Sequence, residues 1–231
     1  MIRLALLLFL LPSLAHAQDL GQMAEGLGQN SVMLLVMLNA LSLAPGLAIM
    51  VTCFPFIVIV LSILRQSLGL QQSPPNLLIV SLAMFLTWFI MDPVLREAWE
   101  IAGLPLSQGS IGFDEAFRRG IVPFRAFMEA RTNPGTLQSM AEIAPAGAAD
   151  AESLSVLIPS FMLSEIQRAF EIGFLLALPF LIIDLVVAAV LMSMGMMMVP
   201  PVVVSLPFKL AFFVVVDGWT MIAGALVRSY S

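Results

Sequence analysis

The stretch Leu191-Met-Ser-Met-Gly-Met-Met-Met-Val-Pro-Pro201 lies where two strongly apolar segments meet, Ile172–Val199 and Pro201–Val227. Five of the sixteen methionines fall within a run of seven residues, 192–198, at this break. Methionine is unbranched, flexible and polarizable, so a ring of such loops from several subunits would close a hole tightly and still deform around varied cargo. A Met-rich turn that packs in the interior of a membrane protein is the competing interpretation.

The composition places the chain in a membrane or a large assembly. Of its 231 residues, 60% are hydrophobic and 11% are charged, and the mean hydropathy is +1.02. A soluble domain of this length does not bury so much apolar surface. The formal net charge of -5 and the single lysine, Lys209, argue against nucleic-acid binding, which requires a basic stripe to neutralise phosphates.

Residues 1–17 have the pattern of a secretory signal peptide. Arg3 precedes the apolar run Leu4–Leu11, and the small-residue site Ala15-His16-Ala17 predicts cleavage between Ala17 and Gln18. The apolar run is too short for a transmembrane helix, although an uncleaved anchor remains an alternative. Cleavage would remove the only histidine, and Cys53 is the only cysteine, so we predict no metal site, no disulfide and a packing role for Cys53.

Residues 18–91 are predicted to form an apolar helical hairpin region. The stretch 31–64 would be about 51 Å long as one helix, against a hydrocarbon core of about 30 Å, so it must bend. Pro45-Gly46 and Pro55 supply the bends. The turn at Gly69–Asn76 leads into a second apolar segment, which we expect Asp92-Pro93 to close.

Residues 92–157 form a polar region that we place on the periplasmic side, because a cleaved Gln18 starts outside and two crossings return there. Seventeen charged residues lie between Asp92 and Glu171, against eight elsewhere. Within the region, apolar residues at three and four spacing predict an amphipathic helix over Phe113–Ala130. Residues Ala144–Asp150 have the composition of a loop.

Residues 158–231 form a C-terminal apolar helical region that contains the Met-rich loop. Pro179 and Asp184 are expected to interrupt its first helix, and Pro207, Lys209 and Asp217 its second. A charge at the bilayer centre costs about 2.5 to 3.5 kcal/mol, so these charges should face protein or water. We therefore predict an all-α, membrane-associated protein of bent helical hairpins, whose apolar faces bury against copies of itself and other subunits.

Two charge pairs are candidates for assembly contacts. Asp184 and Lys209 have opposite signs in adjoining apolar blocks and are predicted partners, within one chain or between subunits. They would act as an assembly lock, or form an incidental pair at a helix end near the headgroups. Glu165 and Arg168 stand three apart on one helix face, where a solvated surface pair is favoured.

We predict no enzymatic activity and no cofactor. Asp184 and Asp217 would suit the carboxylate dyad of an intramembrane aspartyl protease, and Ser205 precedes Lys209 by four residues, as in a Ser/Lys nucleophile pair. Pro207 lies between Ser205 and Lys209 and is expected to spoil their alignment. A small-solute channel or proton-coupled transporter is a further alternative, because buried Asp and Lys mark ion paths.

Several long motifs together resemble the FliP family of type III secretion export-gate proteins. They include Leu-Ser-Ile-Leu-Arg-Gln-Ser-Leu-Gly at 61–69, Phe-Leu-Ile-Ile-Asp-Leu-Val-Val at 180–187, Met-Gly-Met-Met-Met-Val-Pro-Pro at 194–201 and Ser-Leu-Pro-Phe-Lys-Leu at 205–210. The resemblance covers nearly everything from Leu41 to Tyr230. It implies a subunit of the flagellar export gate, through which unfolded flagellar proteins pass; the homologous injectisome gate is the nearest alternative.

The resemblance also implies partners, a location and residue roles. Several copies would join FliQ-like and FliR-like membrane proteins and other export-apparatus components, in a multi-pass assembly at the bacterial inner membrane and the flagellar basal body. Met196, Met197 and Met198 would close the pore. Glu165, Asp184 and Lys209 would make subunit and assembly contacts.

Overall fold

The computed structural model describes residues 35, 38, 39, 42, 46, 49–70, 74–145 and 153–230. The predicted signal peptide with its Ala17–Gln18 cleavage site lies outside these residues, as does most of the predicted loop at 144–150. The chain divides into two units, 1–48 and 49–231. In the first unit the described residues are helical and exposed.

The second unit is all-helical over its described residues, which confirms the predicted fold class. Its helices are α1 (Phe54–Ser67), α2 (Asn76–Ala98), α3 (Leu104–Ser107), α4 (Phe113–Arg131), α5 (Pro134–Glu142), α6 (Leu154–Ser193), α7 (Pro201–Val215) and α8 (Gly218–Arg228). A π-helical turn, Trp99–Gly103, joins α2 to α3.

Some predicted breaks are confirmed. The turn and bend at Val51–Cys53 precede α1, and Pro55 lies in the first turn of that helix, where no amide partner is lost. Gly46, by contrast, is helical. Asp217 separates α7 from α8 with a left-handed backbone (φ 49°), and the two helices are bent by 63°. The predicted amphipathic helix is confirmed as α4.

Other predicted breaks are wrong, because the proline lies inside a continuous helix. Asp92-Pro93 does not close α2, since the helical path runs from Asn76 to Ser107. Helix α6 runs for 40 residues through Pro159 and Pro179, and α7 runs through Pro207. An internal proline removes one hydrogen bond and bends a helix, and these helices continue past it. The predicted domain boundaries 91/92 and 157/158 therefore fall within helices.

Helix α1 lies at the centre of the packed core. Its side chains Phe56, Ile57, Val60 and Leu64 are fully buried, and Cys53 is buried beside them, as predicted. Helix α6 crosses α1 closely at Gly173, where a Cβ atom would lie 2.4 Å from the Cδ1 atom of Ile63. A side chain at this position would require Ile63 to shift.

Among the described residues, two helical stretches are long and apolar enough to cross a membrane, Asn76–Ser107 and Leu154–Ser193. The bent pair α7 and α8 meets the same criterion when taken together. Large apolar side chains are exposed along these helices, among them Phe85, Trp88, Phe174 and Leu185. The fold thus leaves broad apolar faces for lipid or for other subunits.

Candidate functional site

The Met-rich loop caps the hairpin that α6 and α7 form. Helix α6 ends at Ser193, and Gly195 adopts a left-handed backbone with φ 73°. The Met196 amide donates to the Leu191 carbonyl at 3.0 Å, and the Gly195 amide donates to the Met192 carbonyl at 3.1 Å. These two bonds form a Schellman motif, the glycine-terminated helix end that satisfies the last carbonyls. The backbone of the loop is therefore fixed where α6 stops.

The loop directs its methionine side chains into open space. Met197 is 82% exposed and Met198 is 97% exposed. Pro200 then precedes α7, and Pro201 occupies its first turn, where a proline begins a helix favourably. The predicted break at the methionines is confirmed, since α6 ends before them and α7 begins after them.

A charge cluster ties the two arms of this hairpin together; we call Ser67, Asp184, Ser205 and Lys209 the stem clamp. The Lys209 Nζ atom lies 2.6 Å from Asp184 Oδ2 and also donates to the Ser67 carbonyl at 2.9 Å. The Ser205 hydroxyl donates to Asp184 Oδ1. The predicted Asp184–Lys209 pairing is confirmed within one chain.

The stem clamp connects three helices, because Ser205 and Lys209 share one helix and the other two residues come from two more. Asp184 is on α6 and Lys209 is on α7, while Ser67 is the last residue of α1. The ammonium group thus also stabilises the C-terminal end of α1, where the helix carries partial negative charge. The expectation that Pro207 would misalign Ser205 and Lys209 is wrong, since both side chains reach Asp184 through a continuous α7.

The stem clamp is buried on one side and open on the other. The Lys209 side chain is 3% exposed, whereas that of Asp184 is 28% exposed. A cavity of about 360 Å³ opens beside the carboxylate, and its lining includes Gln66. A second, wholly apolar groove of about 460 Å³ follows the outer side of the hairpin. It is lined by Ile182, Ile183, Val186, Val187, Val190, Leu191, Val204 and Phe208.

The second charge cluster surrounds Glu165; we call Glu165, Arg131, Arg168 and Tyr230 the tail cluster. The prediction of a solvated surface pair is wrong, because the Glu165 side chain is 0% exposed. Its Oε1 atom lies 3.2 Å from Arg131 Nε and 3.6 Å from an Arg168 nitrogen. Tyr230 donates its hydroxyl to the other carboxylate oxygen.

The tail cluster holds the C-terminal turn against the core. Arg131 donates to the Ser229 carbonyl at 2.7 Å, and its guanidinium carbon lies 3.9 Å from the centroid of the Tyr230 ring. Tyr230 also contacts the rings of Phe56 and Phe127. Burial raises the pKa of Tyr230 above its ordinary value, and the nearby Glu165 charge raises it further, so the phenol remains a donor.

Sequence reasoning missed Arg131 and Tyr230 as partners of Glu165. They lie 34 residues before it and 65 residues after it, so no short spacing connects them. The one available signal is that Tyr230 is the only tyrosine of the chain. In the described part of the chain, no group of three or more His, Cys, Asp or Glu residues is placed to hold a metal ion.

Comparison with known proteins identifies the family. The FliP family model matches residues 37–226. The flagellar biosynthetic protein FliP of Agrobacterium fabrum is 48% identical over 200 residues, which cover 84% of this chain and 82% of the relative. The FliP protein of Caulobacter vibrioides is 46% identical over 230 residues (96% and 86%), and that of Bacillus subtilis is 46% identical over 205 residues (87% and 92%). This chain belongs to the FliP family.

Proposed function

We propose that this chain is an export-gate subunit of the flagellar type III secretion apparatus. Several copies assemble with FliQ-like and FliR-like membrane proteins at the bacterial inner membrane, within the flagellar basal body. Unfolded flagellar proteins pass through the centre of this assembly. Family membership and the membrane-compatible helices support this proposal. The flagellar names of the relatives favour flagellar cargo over injectisome cargo.

The observation that carries the proposal is the exposed methionine tip of a hairpin whose stem is ionically fixed. The stem clamp and the Schellman motif hold the backbone on both sides of the loop. The side chains of Met196, Met197 and Met198 extend beyond it, with Met198 almost fully exposed. Loops of this kind from several subunits would meet at the axis of a ring, where flexible thioethers close the hole.

The mechanism is a deformable hydrophobic seal. Thioethers are weakly hydrated, so a closed ring of methionines excludes water and small ions at little free-energy cost. An unfolded polypeptide displaces the flexible side chains, and they return to contact after it has passed. During passage the stem clamp holds the helices below each loop in place, so only the loop tip and its methionine side chains move.

The two charge clusters are assigned different parts in this assembly. Asp184 and Lys209 fix the hairpin, so that the loop stands at a set height and the outer apolar groove keeps its shape for a neighbouring subunit. Glu165 holds the polar region and the C-terminal turn against α6. Both contribute to assembly through the shape of the subunit.

The test replaces Met196, Met197 and Met198 with alanine in cells that assemble the gate. We expect these cells to become permeable to a small charged dye, because alanine lacks the long side chain with which each methionine closes the hole. Leucine at the same positions should leak less than alanine, since it restores apolar volume. The matched control is Met84→Ala, an exposed methionine on α2 outside the loop, which should leave permeability unchanged.

A second control separates the pore from general membrane damage. Cells in which the alanine substitutions at Met196, Met197 and Met198 are combined with Asp184→Ala, which should reduce assembly, are expected to leak less because fewer rings of loops form. If replacement of Met196, Met197 and Met198 with alanine leaves permeability unchanged while the complex assembles at normal yield, the loop does not seal the pore.

A further inference from the structure

The methionines of the chain differ sharply in their access to solvent. Met198 and Met197 are 97% and 82% exposed, and Met196 is 42% exposed. Met91 on α2 and Met128 on α4 are 1% and 0% exposed. Oxidation of methionine depends on access to the sulfur, so an oxidant added to the folded protein should discriminate strongly among these positions.

The backbone of the loop is held on both sides of these methionines. The Schellman bonds hold the backbone at Gly195, and a Cβ atom built there would meet nothing within 4 Å. The neighbouring prolines restrict the other end of the loop. The side chains of Met197 and Met198 are therefore exposed on the subunit, and in a closed ring they would meet solvent on the face of the seal.

We propose that Met197 and Met198 are an oxidation site through which hydrogen peroxide opens the closed gate. In this reaction an oxygen atom passes from peroxide to the thioether sulfur. The O–O bond breaks, an S–O bond forms, the sulfur is oxidised by two electrons, and the peroxide leaves as water. This inference rests on the proposed sealing function of the loop.

The modification alters the property on which the seal depends. A thioether is apolar and weakly hydrated, whereas a sulfoxide is polar and accepts hydrogen bonds from water. A ring of sulfoxides would hold water in the constriction and admit small ions. Methionine sulfoxide reductases reverse the change, with a dithiol as the reductant that becomes a disulfide while the oxygen leaves as water.

The first experiment maps the site without reference to permeability. The purified full-length chain is exposed to a series of hydrogen peroxide concentrations, and peptides are analysed by mass spectrometry for the gain of about 16 Da per sulfoxide. Met197 and Met198 should be oxidised first, Met84 later, and Met91 and Met128 last. Oxidation of Met91 or Met128 at the same rate as Met198 would mean that Met197 and Met198 are not a preferred oxidation site.

The second experiment measures the consequence in cells with the assembled gate. Peroxide should raise dye permeability, and treatment of membrane vesicles with both reductases and dithiothreitol should reverse the rise. The Met197→Leu/Met198→Leu variant should show no peroxide-dependent increase over its own baseline, whereas Met84→Leu should respond as the parent does.

The outcomes distinguish this inference from the proposed function. If the alanine loop variant leaks but oxidised Met197 and Met198 leave the gate tight, the oxidative opening is wrong and the seal stands. If the alanine variant is tight as well, the seal itself is wrong and the oxidative opening falls with it.

Discussion

The long helix α6 carries two carboxylates, Glu165 and Asp184, that are held in opposite ways. Glu165 is completely buried and receives donors from α4, from its own helix and from the C-terminal turn. Asp184 is 28% exposed, and both of its side-chain donors come from α7, the next helix in the chain. One carboxylate thus joins distant parts of the chain, and the other joins the arms of a single hairpin.

This difference predicts that Glu165 supports the fold of the subunit and that Asp184 supports the hairpin below the Met-rich loop. A buried charge that loses its partner is expensive, because no water can replace the lost contacts. At Glu165 water has no access, so a substitution there acts on the fold of the subunit. Asp184 is 28% exposed beside a cavity of about 360 Å³, which is large enough to hold water, so we expect a substitution to loosen the stem of the loop while the core around Phe56 and Ile57 remains packed.

The largest expected effect is that of Glu165→Ala. It leaves the guanidinium of Arg131 buried without its carboxylate, and removal of one partner of a buried pair costs about 3–5 kcal/mol. We expect a loss near the top of that range in the free energy of unfolding, measured by denaturant titration of the detergent-solubilised chain. The matched control is Arg118→Gln on α4, which removes an exposed ion pair and should behave as the parent does.

Glu165→Ala tests whether the buried carboxylate supports the fold more strongly than the partly exposed Asp184 does. A loss no greater than that of Arg118→Gln would mean that the tail cluster does not hold the fold. The two carboxylates would then be equivalent, and the assignment of separate roles would be wrong.

The next effect in size is that of Asp184→Ala. It leaves the nearly buried Lys209 with the Ser67 carbonyl as its remaining partner, so we expect a loss of about 3 kcal/mol, at the lower end of the range because the cavity admits water. Recovery of the multi-subunit complex by affinity purification should fall more than the yield of the free subunit. Addition of Lys209→Met should restore part of the recovery, because the stranded charge is then gone. Normal complex recovery in the single variant would exclude the assembly role of the stem clamp.

The same comparison shows how far the sequence could predict the structure. Asp184 and Lys209 flank one break in an apolar sequence, and opposite charges in adjoining apolar segments have few other partners, so their pairing was predictable. The methionine loop was predictable because glycine and two prolines end both helices locally. Both predictions rest on neighbouring segments of the chain.

The tail cluster depends on contacts that local patterns do not contain. Glu165 lies three residues before Arg168, and that spacing indicated a surface pair, yet the stronger donors are Arg131 and Tyr230. Likewise, Pro93 indicated a helix end and Pro179 an interruption from local rules, yet both lie within continuous helices. The partners of Glu165 were decided by long-range packing, which does not follow from spacing.

Tyr230→Phe sharpens the comparison by removing a single hydroxyl from the tail cluster. The ring contacts with Phe56 and Phe127 remain, so the change isolates the hydrogen bond to Glu165. A hydrogen bond to a charged group contributes about 1.5–3 kcal/mol, and the full burial of Glu165 places the expected loss in that range. In the variant, hydrogen exchange should become faster than in the parent at the C-terminal end of α8, whereas exchange in α1 should change little. Equal protection of α8 in the parent and the variant would contradict the anchoring of the tail.

The smallest expected effect is that of Ser205→Ala, the matching hydroxyl deletion in the stem clamp. Ser205 also donates to a carboxylate, so a loss equal to that of Tyr230→Phe would follow if the two clusters were equivalent. Asp184 is partly exposed and keeps Lys209, and water from the cavity can take the place of the hydroxyl. We therefore expect a loss of about 0.5–1.5 kcal/mol, the size of an ordinary hydrogen bond, in the same denaturant titration. A larger loss for Ser205→Ala than for Tyr230→Phe would reverse the comparison, since the open carboxylate would then depend more on its hydroxyl donor than the buried one does.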